Sequence, residues 1–335
     1  MKENEISILI PTLSRQEILL ETLNFYYRNK VKFVFNICDS TKKHGKYFLE
    51  RMNHFSKELN INYYHKINFS DREAIFFLME KTETPFAAFS GDDDFFVPSG
   101  LIKCAYFLKK NNDFRVAYGK AIIVDGKSLK DKNSKISASN YWGNLSFEEK
   151  NVVNRLDKLS SNYLVNLFGV HRAKELKNDY KVSSNLPSRT AAEILTNYLT
   201  IIRGKGKFLN YPYLIRQVHP ARYLMHTTLE STLVDDNLAE AIPDFIDAFS
   251  KALFNQGIKK KDALLLSKKY LKKILSDYKS SSYLNLRKKL KVFDIIYKLF
   301  RRIYYSFKNK LFRKSFYYRD FKTTLRSISL RNNQF

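Results

Sequence analysis

Three consecutive carboxylates are the strongest chemical signal in this sequence of 335 residues. Asp92, Asp93 and Asp94 follow residues 86–89, an entirely apolar run that predicts a strand buried on both faces. In an extended segment every second side chain points the same way, so we expect Asp92 and Asp94 to share a side and Asp93 to face elsewhere. Two convergent carboxylates suit a divalent cation such as Mg²⁺ or Mn²⁺. The alternative is a solvated acidic turn before a helix that begins at Pro98.

Strand and helix signals alternate over the first 125 residues, and these elements must position the carboxylates. Apolar runs predict strands at residues 6–10, 33–38, 61–64 and 86–89, and helical spacing predicts helices at 15–29, 46–59, 71–81 and 98–110. The predicted fold class is therefore α/β, with a mostly parallel sheet and helices on both faces. Ligands of such sheets bind at the carboxyl ends of the strands, which is where the three aspartates lie.

The residues that follow the first two strands are further candidates for ligand binding. Thr12 and Arg15 follow the first strand, and Asp39 follows the second, where it could also be an ordinary turn residue. Cys38 and Cys104 are interpreted as core cysteines, because the sequence has no C-x-x-C motif. The sequence also lacks an H-E-x-x-H motif and a glycine-rich phosphate-binding loop.

The order of these motifs resembles a known family. Residues 6–12 (ISILIPT), followed by Arg15 and a helix, look like the opening of family 2 glycosyltransferases, which have the Rossmann-like nucleotide-diphosphosugar transferase (GT-A) fold. Asp39 stands where that family places an aspartate that holds the nucleoside. Residues 90–94 (SGDDD) match the D-x-D motif of the family at the right distance from the start. The resemblance covers roughly residues 5–220.

The resemblance implies an inverting transfer of a sugar from a nucleotide diphosphosugar. A Mn²⁺ or Mg²⁺ ion held by Asp92, Asp94 and His219 would neutralise the diphosphate leaving group. A carboxylate base would deprotonate the acceptor hydroxyl, and Glu193 stands near the start of a predicted helix, where the family places this base. Alternatively, Glu193 is a helix-surface residue and His219 a structural histidine. Asp179 is the next candidate base.

The same resemblance implies a set of contacts to the nucleotide diphosphosugar. These contacts are Thr12, Arg15, Asp39, Asp71, Arg72, Asp92 and Asp93. Asp71 opens the helix that precedes the aspartates, so it could be only the N-terminal cap of that helix. Trp142 could stack on a sugar, and the alternative is that it packs in the core.

The positive charge of the chain is concentrated at its C-terminal end. The net charge is +26, and residues 251–335 hold 24 Lys and Arg against 4 Asp and Glu, which leaves a net charge of +6 for residues 1–250. We therefore predict a catalytic domain at 1–225 and a strongly basic helical region at 226–335. The excess charge of that region should attract an anionic partner.

An apolar stripe within the basic region favours a membrane as this partner. Eight apolar residues from Leu286 to Leu311 recur at spacings of four and three, with lysines and arginines between them. Such a helix suits an anionic bilayer, so residues 283–335 are expected to dock on one. Nucleic acid is less favoured, because no nucleic-acid-binding motif accompanies the charge. The other alternative is that the stripe completes the protein's own core.

Together these observations predict a metal-dependent, inverting glycosyltransferase. Its expected acceptor is a glycan or a lipid-linked glycan, as in bacterial surface polysaccharide assembly. Its expected location is cytoplasmic and peripheral, on the inner face of the cell membrane. One alternative is a sugar nucleotidyltransferase of the same fold, but the segment after the first strand lacks the glycine-rich loop that such an enzyme would carry. The other alternative is a non-catalytic basic protein that binds membrane or nucleic acid.

Overall fold

The computed structural model describes residues 1–126, 129, 136–219, 237–286, 311–312 and 314–329. The strands and α-helices occur in this order: β1 Ile6–Thr12, α1 Gln16–Arg28, β2 Val34–Asp39, α2 Lys46–Glu58, β3 Asn60–His65, α3 Asp71–Glu80, β4 Phe86–Phe89, β5 Phe95–Phe96, α4 Pro98–Lys110, β6 Phe114–Asp125, β7 Ala138–Asn140, α5 Val152–Ser161, β8 Val170–Arg172, α6 Ala173–Ser184, α7 Arg189–Arg203, β9 Lys205–Val218, α8 Leu238–Phe254, α9 Lys260–Leu286, α10 Phe316–Arg319 and α11 Lys322–Ser329. The alternation predicted for the first 125 residues is confirmed.

One sheet organises the described strands in the order β3-β2-β1-β4-β8-β6-β9-β5, and β7 pairs with β6. The long strands β1, β2, β3, β4, β6 and β9 all run in one direction, whereas the short strands β5, β7 and β8 run antiparallel to their neighbours. The predicted mostly parallel sheet is therefore confirmed. Parallel strands carry their carboxyl ends at the same edge, which brings the loops after β1, β2 and β4 together.

Residues 163–170 differ from what the sequence predicts, because their apolar side chains indicate a strand. The strand β8 begins only at Val170, because residues 166–168 form one turn of 3₁₀ helix. The buried Asn166 donates from Nδ2 to the carbonyl of Asn197 at 3.0 Å, and Asn197 Oδ1 accepts from the amide of Leu167 at 3.1 Å. These bonds tie the turn to α7 and replace the sheet bonds that a strand would make.

Helices cover both faces of the sheet because β1 alternates its side chains between two apolar clusters. Ile8 and Ile10 pack in the cluster that contains Leu19 of α1. Leu9 lies in a separate cluster on the other face with Leu78 of α3. The predicted core cysteines are both buried, one in each cluster. Successive side chains of a strand point to opposite faces of the sheet, which explains this alternation.

The helices after residue 237 pack on the same core as the preceding residues. Tyr198 of α7, Phe249 of α8 and Tyr270 of α9 are fully buried, and their ring centroids lie 5.4 to 6.4 Å apart. The predicted boundary at residue 225 lies in a stretch outside the described residues, so it stays a prediction. The aromatic contacts show that α8 and α9 share the core of the domain before them.

The described end of the chain also packs on this core. Phe321, Leu325 and Ile328 are buried, and the Nζ of Lys120 lies 2.5 Å from a carboxylate oxygen of Asp320. Most of the apolar stripe, residues 287–310, lies outside the described residues, so its predicted membrane contact stays a prediction. In the described part of the chain, no helix combines the length and the apolar character needed to cross a bilayer.

We predict that Phe249→Ala lowers the free energy of unfolding by about 3–5 kcal/mol, the usual cost of removing a buried phenylalanine. The matched control is Phe254→Ala in the same helix, because Phe254 is 56% exposed. That control should change the free energy by about 0.5 kcal/mol or less. Chemical denaturation of both variants measures the difference. Equal stability of the two variants would contradict the packing of α8 on the core.

Candidate active site

A cleft of about 230 Å³ opens at the carboxyl ends of β1, β2 and β4. Seven of the predicted site residues line it: Thr12, Arg15, Asp71, Arg72, Asp92, Asp93 and Glu193. The other three predicted site residues, Asp39, Asp94 and His219, are not among the residues that line it. The cleft lies at the edge of the sheet where parallel α/β folds bind their ligands.

The three aspartates lie in a tight turn, which changes the predicted direction of their side chains. The amide of Asp94 donates to the carbonyl of Gly91 at 3.3 Å, so the segment after β4 is folded back rather than extended. A Cβ at Gly91 would lie only 2.7 Å from Oδ1 of Asp93, so the close approach of this carboxylate requires glycine. The expectation that Asp92 and Asp94 share a side depended on an extended segment and is not met.

Arg15 neutralises two of the three carboxylates. Its Nη1 lies 3.0 Å from Oδ1 of Asp92, and its Nη2 lies 2.6 Å from Oδ2 of Asp93. The hydroxyl of Thr12 donates to the other oxygen of Asp92 at 2.7 Å. The segment after β1 therefore holds the turn after β4, and a fork-shaped guanidinium is the side chain that can bridge two carboxylates in this way.

The two bridged carboxylates have very different acidities. Burial raises the pKa of Asp92 to about 7, although the charge of Arg15 opposes this shift. Burial also acts to raise the pKa of Asp93, but the hydrogen bond from His219 and the charge of Arg15 outweigh it and hold the pKa at about 2. Of these two carboxylates, Asp93 therefore carries more of the negative charge near neutral pH.

Asp94 is held by residues of β9. Nε of Arg216 donates to Oδ2 of Asp94 at 2.9 Å, and the amide of Gln217 donates to Oδ1 at 3.3 Å. The Arg216 guanidinium also lies over the rings of Phe168 and Tyr141, at 4.2 and 4.8 Å from the ring centroids. These contacts fix a buried ion pair at the back of the cleft, and they position Arg216 along its wall.

The donor atoms at this turn suit a divalent cation chemically. Carboxylate oxygens and one imidazole nitrogen are ligands that Mn²⁺ accepts, and Oδ2 of Asp93 lies 2.9 Å from Nε2 of His219. Within the described residues, no three His, Cys, Asp or Glu side chains are grouped as a metal site, and arginines pair with the aspartates instead. The types of donor atom therefore fit the ion, whereas the arrangement in this structure is one of arginine–carboxylate pairs.

One ion pair holds the start of α7 against α3, and hydrogen bonds hold the segment between α6 and α7 there. The Nη2 of Arg189 lies 2.6 Å from Oδ2 of Asp71, and Nη2 of Arg72 donates to the carbonyls of Ser184 and Leu186 at 2.5 Å. Asp71 and Arg72, predicted from the sequence as nucleotide contacts, therefore line the cleft and also fasten α7 to it. Sequence reasoning missed Arg189, although its place at the first position of the helix that carries the predicted base was a usable signal.

Glu193 reaches the cleft from the first turns of α7. The neighbouring Ala192, Ile194 and Leu195 are buried, whereas the Glu193 side chain faces the solvent in the cleft. Desolvation by the walls of the cleft raises its pKa against the opposing charges of Arg189 and Arg216. Its carboxylate accepts no hydrogen bond from any described residue. An unpaired carboxylate with a raised pKa has the properties of a general base.

Asp39 is placed differently from the predicted nucleoside contact. It is fully buried, and its two carboxylate oxygens accept from the amide of Thr41 and the hydroxyl of Tyr63, both at 2.8 Å. Its neighbour Ser40 lines the cleft instead. These bonds fix the loop after β2, and the predicted contact of Asp39 with the nucleoside stays a prediction.

Two other sequence candidates are structural residues. Asp179 is buried between Arg115 and Arg203 and pairs with both, so it does not offer a free carboxylate to the cleft. Trp142 is buried, and its Nε1 donates to the carbonyl of Gly119 at 2.8 Å, which agrees with the packing alternative rather than with sugar stacking. The base predicted from the sequence, Glu193, is thus better placed than its alternative Asp179.

We predict opposite stability effects for two acid-to-amide variants of the cleft. Asp94→Asn breaks a buried ion pair and should lower the free energy of unfolding by about 3 kcal/mol. Glu193→Gln should leave it unchanged or raise it at pH 7, since it removes an unpaired charge from protein surroundings.

The pH dependence of this difference follows from the sign of the shift. Because folding raises the pKa of Glu193, wild type loses stability relative to Glu193→Gln as the pH rises from the unfolded pKa of the carboxyl to its folded pKa. Chemical denaturation between pH 4 and pH 8 measures the free energy of unfolding of both variants and of wild type. It therefore checks the loss expected for Asp94→Asn and the pH-dependent difference expected for Glu193→Gln. A strong loss of stability in Glu193→Gln would show that its carboxylate has a structural partner.

Comparison with solved structures supports the fold. No protein-family model matches the chain, and no curated protein matches it. The chain is similar to residues 1–349 of S. aureus TarS in complex with UDP, with a TM-score of 0.50 and 15% identity over 87% of this chain and 93% of that one. TarS 1–349 with UDP-GlcNAc aligns at a TM-score of 0.49 with 15% identity, over 85% and 92% of the two chains.

A weaker similarity is to the mannosyltransferase PcManGT from Pyrobaculum calidifontis, in complex with GDP-Man and Mn²⁺. It has a TM-score of 0.45 and 9% identity over 98% of this chain and 86% of that one. The sheet order together with the similarity to TarS confirms the fold class predicted from the sequence. The chain has a nucleotide-diphosphosugar transferase (GT-A) type of fold.

Proposed function

We propose that the protein is a glycosyltransferase that moves a sugar from a nucleotide diphosphosugar to an acceptor hydroxyl. The observation that carries the proposal is the free carboxylate of Glu193, which faces the same cleft as the cluster of Arg15, Asp92 and Asp93. One wall of the cleft therefore offers a proton acceptor, and the other offers groups that recognise a phosphorylated ligand. The fold supports this assignment, because TarS, which shares it, was solved with UDP.

The proposed reaction is a single displacement at the anomeric carbon of the donor sugar. The acceptor oxygen forms a bond to this carbon while the bond from the carbon to the diphosphate breaks. The proton of the acceptor hydroxyl passes to the carboxylate of Glu193, and the nucleoside diphosphate leaves. One displacement inverts the configuration at the carbon. The raised pKa of Glu193 makes its carboxylate a stronger base than an ordinary glutamate.

The donor is proposed to lie against the turn after β4. Thr12 and Arg15 lie on one side of the cleft and Arg216 on another, so a diphosphate there would meet two guanidinium groups. Asp71 and Arg72 line the same cleft at the start of α3, near the nucleoside end of the donor in this proposal. Phosphate recognition by fork-shaped guanidinium groups is directional, which would orient the scissile bond toward Glu193.

Metal dependence is part of the proposal. Asp92, Asp94 and His219 are the proposed ligands of Mn²⁺ or Mg²⁺, and Asp93 supports the site through its contact with His219. When bound, the ion would supply charge that neutralises the diphosphate leaving group. This chain's own contribution is to hold the turn in place through Arg15 and Arg216.

The acceptor and the location of the enzyme are proposed from the charge of the chain. A glycan or a lipid-linked glycan held at a membrane, as in bacterial surface polysaccharide assembly, suits a protein whose residues 251–335 have 24 basic and 4 acidic residues. Residues 283–335 are proposed to bind the anionic inner face of the cell membrane from the cytoplasm.

We predict that Glu193→Gln lowers kcat by about 10²–10⁴-fold, the usual contribution of a general base. The KM for the donor should change little, because the amide keeps the size of the side chain. The kcat/KM of the wild-type protein should rise with pH and level off above the raised pKa of Glu193, and this rise should be absent in the variant. A screen of nucleotide sugars with a soluble acceptor analogue supplies the assay. A fully active variant would exclude Glu193 as the base.

We predict that UDP stabilises the protein more strongly with Mn²⁺ than without it. At a hundredfold excess of ligand over Kd, the gain in unfolding free energy should be about 2.7 kcal/mol. His219→Ala and Asp92→Asn should remove the Mn²⁺-dependent part. His54→Ala is the matched control, because His54 is an exposed histidine of α2. Melting curves with and without EDTA measure the effect, and equal stabilisation of all variants would contradict the metal assignment.

A further inference from the structure

The connection between α8 and α9 exposes large apolar side chains to solvent. Phe254 at the end of α8 is 56% exposed, and Leu264 and Leu265 in the first turns of α9 are 41% and 58% exposed. The inner faces of these two helices already pack on the core, since residues such as Phe249 and Tyr270 are buried. The exposed apolar residues all lie in one segment, residues 251–273, which we call the hairpin tip.

The hairpin tip is also strongly basic. It contains eight lysines and one aspartate, and it has no arginine. Five of these lysines form no ion pair with any described residue: Lys259, Lys260, Lys261, Lys268 and Lys272. Three others have partners, such as the carboxylate of Asp157 for Lys269. The positive charge of the tip is thus left largely uncompensated by the described residues.

Three lysines and one leucine share one side of α9. Lys261, Leu265, Lys268 and Lys272 are spaced four, three and four residues apart, so they share a helix face, and all four are exposed. The opposite face carries the buried residues Ala263, Tyr270 and Ile274. An outward face of this composition places ammonium groups beside apolar side chains, which is the arrangement found where a helix lies in a charged interface.

We propose that the hairpin tip docks on the surface of an anionic phospholipid bilayer. The lysines would contact the phosphate headgroups, while Leu265 and Phe254 enter the boundary between headgroups and acyl chains. Charge complementarity selects this partner, and the exposed apolar residues favour a lipid surface over nucleic acid, which would need no leucines. The inference extends the proposed membrane location to the described part of the chain and does not depend on the proposed reaction.

The first test compares two charge-reversal variants of the full-length protein. One carries Lys261→Glu, Lys268→Glu and Lys272→Glu. The control carries Lys32→Glu, Lys57→Glu and Lys174→Glu, three exposed lysines elsewhere that give the same change in net charge. With vesicles of phosphatidylglycerol and phosphatidylcholine, the hairpin variant should lose about a hundredfold or more in partitioning at low salt. The partitioning of the control should fall about tenfold at most, because its lysines affect only the overall electrostatic attraction between the protein and the vesicles.

The second test asks whether the tip enters the bilayer. Leu265→Cys can be labelled selectively with an environment-sensitive fluorophore, because the native Cys38 and Cys104 are buried. Leu49→Cys is the matched control, since Leu49 of α2 is 51% exposed. Vesicles that contain phosphatidylglycerol should shift the emission of the label at position 265 to the blue. The label at position 49 should not respond, and vesicles of phosphatidylcholine alone should leave both unchanged.

The outcomes separate this inference from its rivals. Equal partitioning losses in the two charge-reversal variants, or no shift of the label at position 265, would overturn it. Residues 283–335 would then account for any binding to vesicles. Tight binding of an oligonucleotide by wild type, lost in the hairpin variant with no binding to vesicles, would overturn it in favour of nucleic acid. Donor hydrolysis in solution should be equal in all variants, since none of the changed residues lines the cleft. A failure of the proposed reaction would therefore not be mistaken for a failure of docking.

Discussion

Mutual repulsion among Asp92, Asp93 and Asp94 is the constraint on which the rest of the cleft depends. Three neighbouring carboxylates buried at the end of a strand are stable only if cations from elsewhere in the fold compensate them. Arg15 supplies one cation from the segment after β1, and Arg216 supplies the other from β9. Compensation thus ties together three parts of the sheet that are distant in sequence. The same electrostatic framework gives the cleft guanidinium groups on two of its walls.

Glu193 differs from these aspartates because no described residue pairs with its charge. The helix that carries it is fixed by other contacts, namely the ion pair of Arg189 with Asp71 and the hydrogen bonds of Asn197 with the turn before β8. Fixing the helix at these points keeps the carboxylate in place without using its oxygens. A carboxylate that is held but not neutralised keeps a raised pKa, which is the property that proton transfer requires. The arrangement separates the residues that stabilise the cleft from the residue proposed to react in it.

The helices α8 and α9 likewise use different residues for packing and for the proposed membrane contact. Phe249 and Tyr270 complete a core that begins with Tyr198 of α7, so α8 and α9 stabilise the helix that carries Glu193. Their outer surface places lysines beside Leu265, which no core contact requires. Core packing and the proposed membrane contact are therefore compatible within α8 and α9, because each uses a different face. The same two alternatives for the stripe from Leu286 to Leu311 stay predictions.

The sequence by itself determined the elements and the chemical types of the site residues. The strand and helix order of the first 125 residues, the position of the aspartates after a buried strand and the place of Glu193 at the start of a helix all follow from local apolar periodicity. Tertiary structure alone decided which groups meet. Arg15 and Asp93 are separated by 78 residues in the chain, and Arg216 and Asp94 by 122. No local pattern encodes such pairs, because their distance depends on how β1, β4 and β9 are placed in the sheet. For the same reason the burial of Asp39 beneath Tyr63 and the folded turn at Gly91 could not be predicted: each depends on contacts that exist only once the chain has packed.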